Sequence, residues 1–402
     1  LTAWRRIVTL AIDEEVDFVL IAGDAFESAN RTLPGQLNLR NGLKRLADAG
    51  IDSYVVSGNH DHEGGYIPSV TWPDRAHAFS TTKVESKPVV RNGVEIARVY
   101  GMGYKKAAVT DNLVLKFKRE PGVPFAIGLL HTNVGGDTSA GNYAPCTITD
   151  LRNAGMDYWA LGHIHRHAIL NAASPTVIYC GNPQGRDPGE VEPRGCYLVT
   201  VAADGTVTPE FRVTDEVRWR LLDVPIGDVT TEEGLVNTVV REVDAARTEA
   251  GRSIVARVTL TGAGPAHRLL AKTGLLNGVL TTAREDLGEA APFAWIESLR
   301  DATRPEFDRE ARKQADDFLG SVLRLIDTSR ASLAVAPGTD GPAALDDTDE
   351  LGAHEIDELL DELYANARAR PFLRDHRPSP SELLALLERA ESMVVDQLTE
   401  QG

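Results

Sequence analysis

A chain of 402 residues with 42% hydrophobic and 25% charged residues is long enough for two or three globular domains. No apolar run approaches the roughly 20 residues of a membrane span, no signal-peptide pattern opens the sequence, and three scattered cysteines form neither a disulfide framework nor a zinc knuckle, so we expect a cytoplasmic protein. The formal net charge is −17, but 16 acidic and 5 basic residues follow residue 330, so the rest carries only −6 and nucleic acid is not excluded as a substrate.

The first half of the chain alternates predicted helices with short apolar strands. Apolar residues recur at helical spacing over residues 1–16 and 33–49, and residues 17–22 and 53–57 are apolar runs of strand length. This alternation predicts an α/β layered fold with parallel strands. Further strands are predicted at residues 94–100, 125–131, 158–161, 176–180, 195–201 and 206–213, the later ones antiparallel because they follow one another closely.

The pattern changes near residue 214, where a second, smaller domain is predicted. Its three strands alternate with two helices, which indicates a βαβαβ unit. After a further helix, the chain is rich in Ala, Gly, Pro and Asp, as flexible linkers are. The predicted domains are therefore a first domain at 1–213, the βαβαβ domain at 214–302, a helix at 303–330, a linker at 331–352 and an acidic helical tail at 353–402.

The tail carries a clear signal for the start of a helix. Ser379 precedes Pro380, and Glu382 follows three residues after the serine, which is the pattern of a capping box. Leucines in the next two turns give the predicted helix an apolar face. That face suits either packing within the tail or docking of a partner protein.

Four blocks of polar residues follow four of the predicted strands, each at the point where the strand ends. Parallel strands bring their carboxyl ends to one edge of a sheet, so these side chains are expected to meet there. Together they supply one carboxylate, one amide and several imidazoles, a set that suits divalent metals acting on a phosphate ester. The blocks are Gly23-Asp24, Gly58-Asn59-His60-Asp61, His131-Thr132 and Gly162-His163-Ile164-His165.

The blocks differ in how much each one indicates alone. Asp24 could equally cap a turn, and a single histidine such as His131 more often fills a core or an edge than binds a metal. His163 and His165 are a stronger pair, because alternate residues of an extended segment point to the same side. Six of the ten histidines fall within or beside these blocks, which favours a site over a polar loop.

The second block offers two kinds of chemistry. The amide oxygen of Asn59 is a neutral ligand for a hard metal, whereas the imidazole of His60 could face the scissile phosphate and protonate its leaving oxygen. Asp61 or a nearby carbonyl could orient that ring. Arg166 and Arg186 are candidates for contacts with DNA phosphates, with simple solvation as the alternative for each.

Longer segments around these blocks resemble a known family, the calcineurin-like metallophosphoesterases. Within it, residues 16–24, 158–165 and 195–199 are similar to the SbcD/Mre-type DNA repair nucleases. Residues 181–186 and 143–146 most resemble the bacterial YhaO-like exonuclease branch. The resemblance extends through the small domain and implies a layered phosphoesterase sandwich with a second, small α+β capping domain that binds DNA.

The resemblance also implies roles for single residues. Two divalent metal ions are expected, with manganese as the usual metal, and His60 would be the catalytic histidine beside the phosphate. The implied metal ligands are Asp24, which would bridge both ions, Asn59, His131 and His163 at the second site, and His165 at the first.

The activity that the resemblance implies is that of a DNA exonuclease or endonuclease subunit. Family members work with a coiled-coil ATPase of the SbcC/Rad type and are usually dimers, so DNA, this ATPase and a second copy are the expected partners. Two other hypotheses stay open: a non-catalytic subunit that binds DNA or the ATPase, and a phosphoesterase acting on small molecules.

Two departures from the family's pattern bear on activity. The family's first motif, Asp-x-His in an early strand, would precede Leu1 and is not in this sequence. The chain as written is therefore expected to be truncated, with one metal site incomplete and activity lost. Asp187 follows Arg186 where the most similar branch often has histidine, which puts a substrate role of this loop in doubt.

Overall fold

The computed structural model describes residues 2–26, 32–62, 70–136, 141–304, 308–334 and 379–399, which belong to two compact units. One unit is built from Leu1–Leu221, Ala246–Arg257 and Glu289–Trp295, and the other from Leu222–Ala245, Val258–Gly288 and Ile296–Gly402. Within the described residues, no helix combines the length and the apolar character that crossing a membrane requires.

Helices and strands alternate up to residue 56, and three further strands then precede the next helical turn. In chain order they are α1 (Thr2–Asp13), β1 (Phe18–Ala22), α2 (Leu33–Asp48), β2 (Asp52–Val56), β3 (Ala76–Ala78), β4 (Glu85–Arg91), β5 (Val94–Met102), a 3-10 turn (Leu113–Lys116), β6 (Ala126–His131), α3 (Ile148–Asn153), β7 (Tyr158–Gly162), β8 (Ala168–Asn171), β9 (Thr176–Tyr179), β10 (Gly195–Val201), β11 (Val207–Val213), β12 (Val217–Pro225), α4 (Glu232–Ala250), β13 (Ser253–Ala263), α5 (Ala266–Leu270), α6 (Leu275–Leu287), β14 (Ala294–Arg304), α7 (Arg309–Lys313), α8 (Phe318–Ala334) and α9 (Pro380–Thr399).

Two sheets form the centre of the first unit. In the smaller sheet, β1, β2 and β3 lie side by side and run parallel. The larger sheet has the order β4-β5-β6-β7-β9-β8, in which the four central strands are parallel and the two edge strands are antiparallel to their neighbours. Strands β10 and β11 form a separate antiparallel hairpin. The α/β layered fold predicted from the sequence is confirmed.

Apolar side chains fill the space between these two sheets. Val56 of β2 and Leu129 of β6 belong to one buried cluster, so the sheets share a core. On the other face of the larger sheet, Trp159 and Leu130 are buried in a second cluster. A fully buried apolar side chain of this size contributes about 1.5–3 kcal/mol. The packing therefore holds the two sheets, and with them the loops that follow their strands, in place.

Three strands of the first unit have no counterpart in the sequence prediction: β3, β4 and β8. All three are short or lie at an edge of a sheet. Strand β4 contains Lys87, Pro88 and Arg91, residues that edge strands tolerate because one side of the strand needs no partner. Their composition therefore hides them from a search for apolar runs.

A third sheet has the order β12-β13-β14, and its strands alternate with α4 and with the pair α5 and α6. After it, β14 runs to Arg304, and the helix predicted at 303–330 is divided into α7 and α8. Helix α8 extends to Ala334, so the first residues of the predicted linker are helical. The rest of the linker, and the tail up to residue 378, lie outside the described residues.

The last helix packs against α8 in the second unit. Leu319 and Leu323 of α8 are buried together with Val395 of α9. The backbone N–H of Ser379 donates to the Glu382 carboxylate, and the N–H of Glu382 donates to the serine hydroxyl, which confirms the capping box.

Candidate functional site

The candidate site lies where four strands end. In the larger sheet, β6 and β7 are parallel with His131 beside Gly162, so the chain leaves both strands at the same edge. In the smaller sheet, Ala22 pairs with Val56, so the loops after β1 and β2 also start together. The folding of four apolar runs into parallel strands therefore brings the four polar blocks to one edge of the core.

Two glycines allow the ends of the two sheets to approach closely. A Cβ atom on Gly162 would lie less than 3.0 Å from the carbonyl oxygen of Ala22. A Cβ atom on Gly58 would lie less than 3.0 Å from both the Asp24 carboxylate and the His131 ring. Any other residue at these positions would push backbone or ligand groups apart, so both glycines are part of the site's geometry.

Asp24, Asn59 and His131 form the centre of the site. The Nε2 atom of buried His131 lies 2.9 Å from Oδ1 of Asn59 and 3.3 Å from Oδ2 of Asp24. Its Nδ1–H donates to the carbonyl oxygen of Ala22 at 2.9 Å, since a carbonyl can only accept. In the neutral ring, three lone pairs then face one another, an arrangement that a proton on Nε2 or a metal cation between the three atoms would satisfy.

The titration of Asp24 and His131 follows from this arrangement. Burial lowers the pKa of His131, but the hydrogen bond and the charge of Asp24 raise it by more, so the net pKa lies above its ordinary value. Burial raises the pKa of Asp24, and hydrogen bonds from His131 and from the backbone N–H of His60 bring it below its ordinary value. A metal cation would replace the proton in this balance.

Each histidine predicted to bind metal has one ring nitrogen held by an oxygen acceptor. Besides the contact of His131, Nε2 of His163 lies 2.6 Å from the carbonyl oxygen of Gly141, and Nδ1 of His165 lies 2.6 Å from Oε1 of Glu190. These oxygens only accept, so the nitrogens facing them carry the protons of the neutral rings. The opposite nitrogens keep their lone pairs, which is the state that a metal ligand needs.

Two tyrosines flank the paired imidazoles. The rings of Tyr104, His131, His163 and Tyr143 follow one another edge to face, with centroids 5.5, 5.1 and 5.8 Å apart. Burial, and then the charge of His131, lower the pKa of His163. The row of rings therefore restricts rotation of the imidazoles and favours the neutral form of His163.

Asp61 connects the loops that carry Asp24 and Asn59. Its buried carboxylate accepts hydrogen bonds from the backbone N–H groups of Gly58 at 2.6 Å, Ala25 at 2.8 Å and Asp24 at 3.2 Å. Both carboxylate oxygens serve the backbone, and the expected role of Asp61 in orienting the His60 ring stays a prediction. The backbone N–H of His60 in turn donates to Oδ1 of Asp24 at 2.9 Å, while the catalytic role of its ring stays a prediction.

Backbone strain is concentrated at the same edge. Asp24 has a φ of 51° and His163 a φ of 101°, in a region that residues other than glycine rarely adopt. Such conformations cost about 1–3 kcal/mol each and persist where the surroundings hold them. Here the hydrogen bonds of both side chains supply that restraint.

The residues present fit a divalent cation. A carboxylate oxygen, an amide oxygen and an imidazole nitrogen converge at Asp24, Asn59 and His131, and this donor set suits ions such as Mn²⁺. Among the described ranges, no three His, Cys, Asp or Glu side chains are grouped closely enough to hold a metal. The amide of Asn59 is therefore needed to complete the set, and the roles of His163 and His165 as further ligands stay predictions.

The two arginines predicted to bind substrate lie on the loops after β7 and β9. The Arg166 side chain is 72% exposed and pairs with Glu192 at 2.9 Å. The backbone N–H of Arg186 donates to Oε2 of Glu190 at 2.7 Å. Contacts of either guanidinium with DNA stay a prediction.

Three groups at the site were missed by sequence reasoning: the carbonyls of Ala22 and Gly141 and the carboxylate of Glu190. Backbone carbonyls carry no signal in a sequence. Glu190 is 25 residues beyond His165 in a loop rich in Gly, Pro and acidic residues, and its burial is the feature that marks it out.

Comparisons with known proteins show the family to which the chain belongs. The profile of the calcineurin-like phosphoesterases matches residues 1–167, and the profile described as "Metallophosphoesterase YhaO, middle domain" matches residues 219–304. The chain is 35% identical over 358 residues to the "Uncharacterized metallophosphoesterase YhaO" of Bacillus subtilis, covering 89% of this chain and 86% of that protein.

More distant relatives are archaeal DNA double-strand break repair proteins named Mre11. Identity is 28% over 250 residues with the Haloferax volcanii protein, covering 61% of this chain and 53% of that one. It is 27% over 258 residues with the Archaeoglobus fulgidus protein, covering 57% of each. The chain thus spans about half the length of these Mre11 proteins and most of the length of YhaO. The chain belongs to the calcineurin-like metallophosphoesterases and carries a YhaO-type middle domain.

Proposed function

We propose that this chain is a nuclease subunit that hydrolyses phosphodiester bonds of DNA in repair, using two divalent metal ions with manganese as the expected metal. The observation that carries the proposal is the convergence of Asp24, Asn59 and His131, whose acceptor atoms face one another and suit a divalent cation. Family membership makes the chain a metal-dependent phosphoester hydrolase. Similarity to the Mre11 repair proteins supports DNA as the substrate.

The chemistry assigns a separate task to each residue. Asp24, Asn59, His131 and His163 would hold one cation, and Asp24 with His165 would serve a second. When bound, the cations supply positive charge that stabilises the phosphoryl oxygens during hydrolysis. His60 would protonate the leaving oxygen, and its backbone hydrogen bond to Asp24 keeps it beside the ligands.

Partners of the proposed enzyme follow from the same reasoning. DNA phosphates would meet Arg166 and Arg186 without sequence specificity, because phosphate contacts carry no sequence information. A coiled-coil ATPase of the SbcC/Rad type and a second copy of the chain are proposed from the resemblance of the sequence. We place the complex in the cytoplasm.

The experiment measures hydrolysis of an end-labelled linear duplex with Mn²⁺ and with EDTA. The chain is assayed beside the full product of its gene. We expect Mn²⁺-dependent release of nucleotides by the full gene product, and a loss of about 100-fold or more in its Asp24→Asn variant, the usual effect of removing a principal electrostatic group. The matched control is Asp48→Asn on α2, an exposed carboxylate paired with Lys44, which should keep full activity.

Other substrates separate the alternatives. Hydrolysis of bis(p-nitrophenyl) phosphate without hydrolysis of DNA would identify a small-molecule phosphoesterase. Mn²⁺ binding without hydrolysis of either substrate, in both forms of the protein, would identify a non-catalytic subunit. Both outcomes contradict the proposal.

A further inference from the structure

The segment between β9 and β10 surrounds one histidine of the candidate site. The carbonyl oxygen of His165 accepts hydrogen bonds from the backbone N–H of Asn182, at 3.0 Å, and from the guanidinium of Arg194. The ring Nδ1 of His165 lies 2.6 Å from Oε1 of Glu190. Both the backbone and the ring of His165 are therefore held by this one segment.

Glu190 is itself fixed on its other oxygen. Oε2 accepts hydrogen bonds from the side-chain amide of Asn182 at 2.9 Å and from the backbone N–H of Arg186 at 2.7 Å. Only 7% of the Glu190 surface is exposed, whereas the His165 side chain is 39% exposed. The carboxylate is thus a buried, fully engaged anchor, and the ring it holds still faces outward.

From this geometry we infer that Glu190 is a positioning residue: it fixes the proton of His165 on Nδ1 and so keeps Nε2 available to a divalent cation. The inference rests on the proposed role of His165 as a metal ligand. A carboxylate behind a metal-binding histidine commonly orients the ring and raises its basicity, and loss of such a partner costs about 10–100-fold in metal affinity.

Glu190→Gln tests the inference with a change of one atom. A glutamine must place its NH₂ group either against the two donors from Asn182 and Arg186 or against Nδ1 of His165. Facing two donors is the worse choice, so the amide oxygen should stay with Asn182 and Arg186. Its NH₂ group then donates to Nδ1 of His165, the ring proton moves to Nε2, and the nitrogen meant for the cation is blocked.

The measurement is the tautomer of His165 in the metal-free chain, read from long-range ¹H–¹⁵N spectra of protein labelled at histidine. The His165 signals are identified by their loss in His165→Gln. We expect the proton on Nδ1 in the wild type and on Nε2 in Glu190→Gln. A titration of the full gene product with Zn²⁺, a diamagnetic probe, should then shift the Nε2 signal of His165 at about 10–100-fold lower Zn²⁺ concentration in the wild type than in Glu190→Gln.

The matched control is Glu192→Gln, two residues away. Glu192 is partly exposed and pairs with Arg166, so its replacement should leave both the tautomer and the Zn²⁺ response of His165 unchanged. Thermal unfolding of each variant shows whether the fold is intact. If Glu190→Gln fails to fold, Asn182→Ala takes its place. It removes one donor to Oε2 of Glu190. We expect a smaller fraction of His165 with its proton on Nδ1 than in the wild type.

Three results would overturn the inference: the same tautomer in wild type and variant, equal Zn²⁺ responses, or no Zn²⁺ response of His165 in the wild type. Failure of the nuclease proposal has a different signature. In that case the wild-type protein leaves DNA intact while the tautomer and the Zn²⁺ titration behave as expected, and the role of Glu190 stands.

Discussion

Two groups of polar side chains in this molecule differ in how their hydrogen-bonding atoms and charges are balanced. In the second unit, Asp327 and Glu391 are matched by Arg309, Lys313 and Arg330, with each carboxylate paired to two cationic side chains. We call these five residues the ion cluster.

At the edge of the first unit the balance is different. There the acceptor atoms of Asp24, Asn59 and His131, which we call the acceptor group, face one another. The ion cluster satisfies itself and holds helices together, whereas the acceptor group needs a proton or a bound cation between its atoms. We therefore interpret the ion cluster as structural and the acceptor group as the proposed metal site.

The largest effect is expected where the acceptor group loses a charge. Asp24→Asn should weaken Mn²⁺ binding by about 100-fold or more, since loss of a group that only supports a ligand already costs up to that much, and titration calorimetry measures the change. The metal-free protein should change its free energy of unfolding by less than about 1 kcal/mol, because an asparagine oxygen can still accept from the backbone N–H of His60. A large loss of stability without a loss of affinity would contradict the distinction between the two groups.

A second change should damage affinity and stability together. In Gly162→Ala, the new methyl group meets the carbonyl oxygen of Ala22 and pushes the two sheets apart. We expect a loss of about 1–3 kcal/mol in the free energy of unfolding by urea titration, with weaker Mn²⁺ binding.

Gly278→Ala is the matched control for that change. Gly278 lies in α6, and its Cβ would meet open space, so the alanine should leave stability unchanged or raise it by about 0.5–1 kcal/mol. Equal effects of the two substitutions would show that the close approach at Gly162 is unimportant.

The ion cluster should show the opposite behaviour from the acceptor group. Glu391→Gln leaves Arg309 and Arg330 without their shared carboxylate, so we expect a loss of about 1–2 kcal/mol in stability and no change in Mn²⁺ affinity. Glu388→Gln, an exposed position on the same helix, is the control and should be neutral. A change in metal affinity on Glu391→Gln would break the comparison.

The smallest expected effect is the dependence of stability on acidic pH through Asp327. The hydrogen bond from Arg309, and then that from Lys313, lower the pKa of Asp327 to about 2, against 3.8 as its ordinary value. Because the folded pKa is depressed, this stabilisation is complete above about pH 4 and is lost as the pH falls towards 2. The difference in melting temperature between wild type and Asp327→Asn should therefore shrink over that interval. A difference that stays constant down to pH 2 would contradict this role of Asp327.

The sequence predicts the position of a site residue well where that residue directly follows an apolar run that forms a strand. Apolar runs at 17–22, 53–57, 125–131 and 158–161 each form a strand, and the polar residue after each run lies at the shared edge. Local pattern suffices here because parallel strands must end together.

The sequence is silent where the contact joins distant parts of the chain. Ala22 supplies a carbonyl to a histidine 109 positions away, and Asp61 supplies its carboxylate to backbone groups 36 and 37 positions away. Neither partner has a side-chain signature of that role. The engagement of Asp61 with the backbone therefore required the structure.

Gly162 has a consequence for the search for further proteins of this kind. A histidine ligand can be exchanged for another donor, since aspartate or asparagine also bind divalent ions. At Gly162, by contrast, any side chain would collide with the carbonyl oxygen of Ala22, so only glycine fits there. A sequence motif for this edge should therefore give Gly162 at least as much weight as the histidine that follows it.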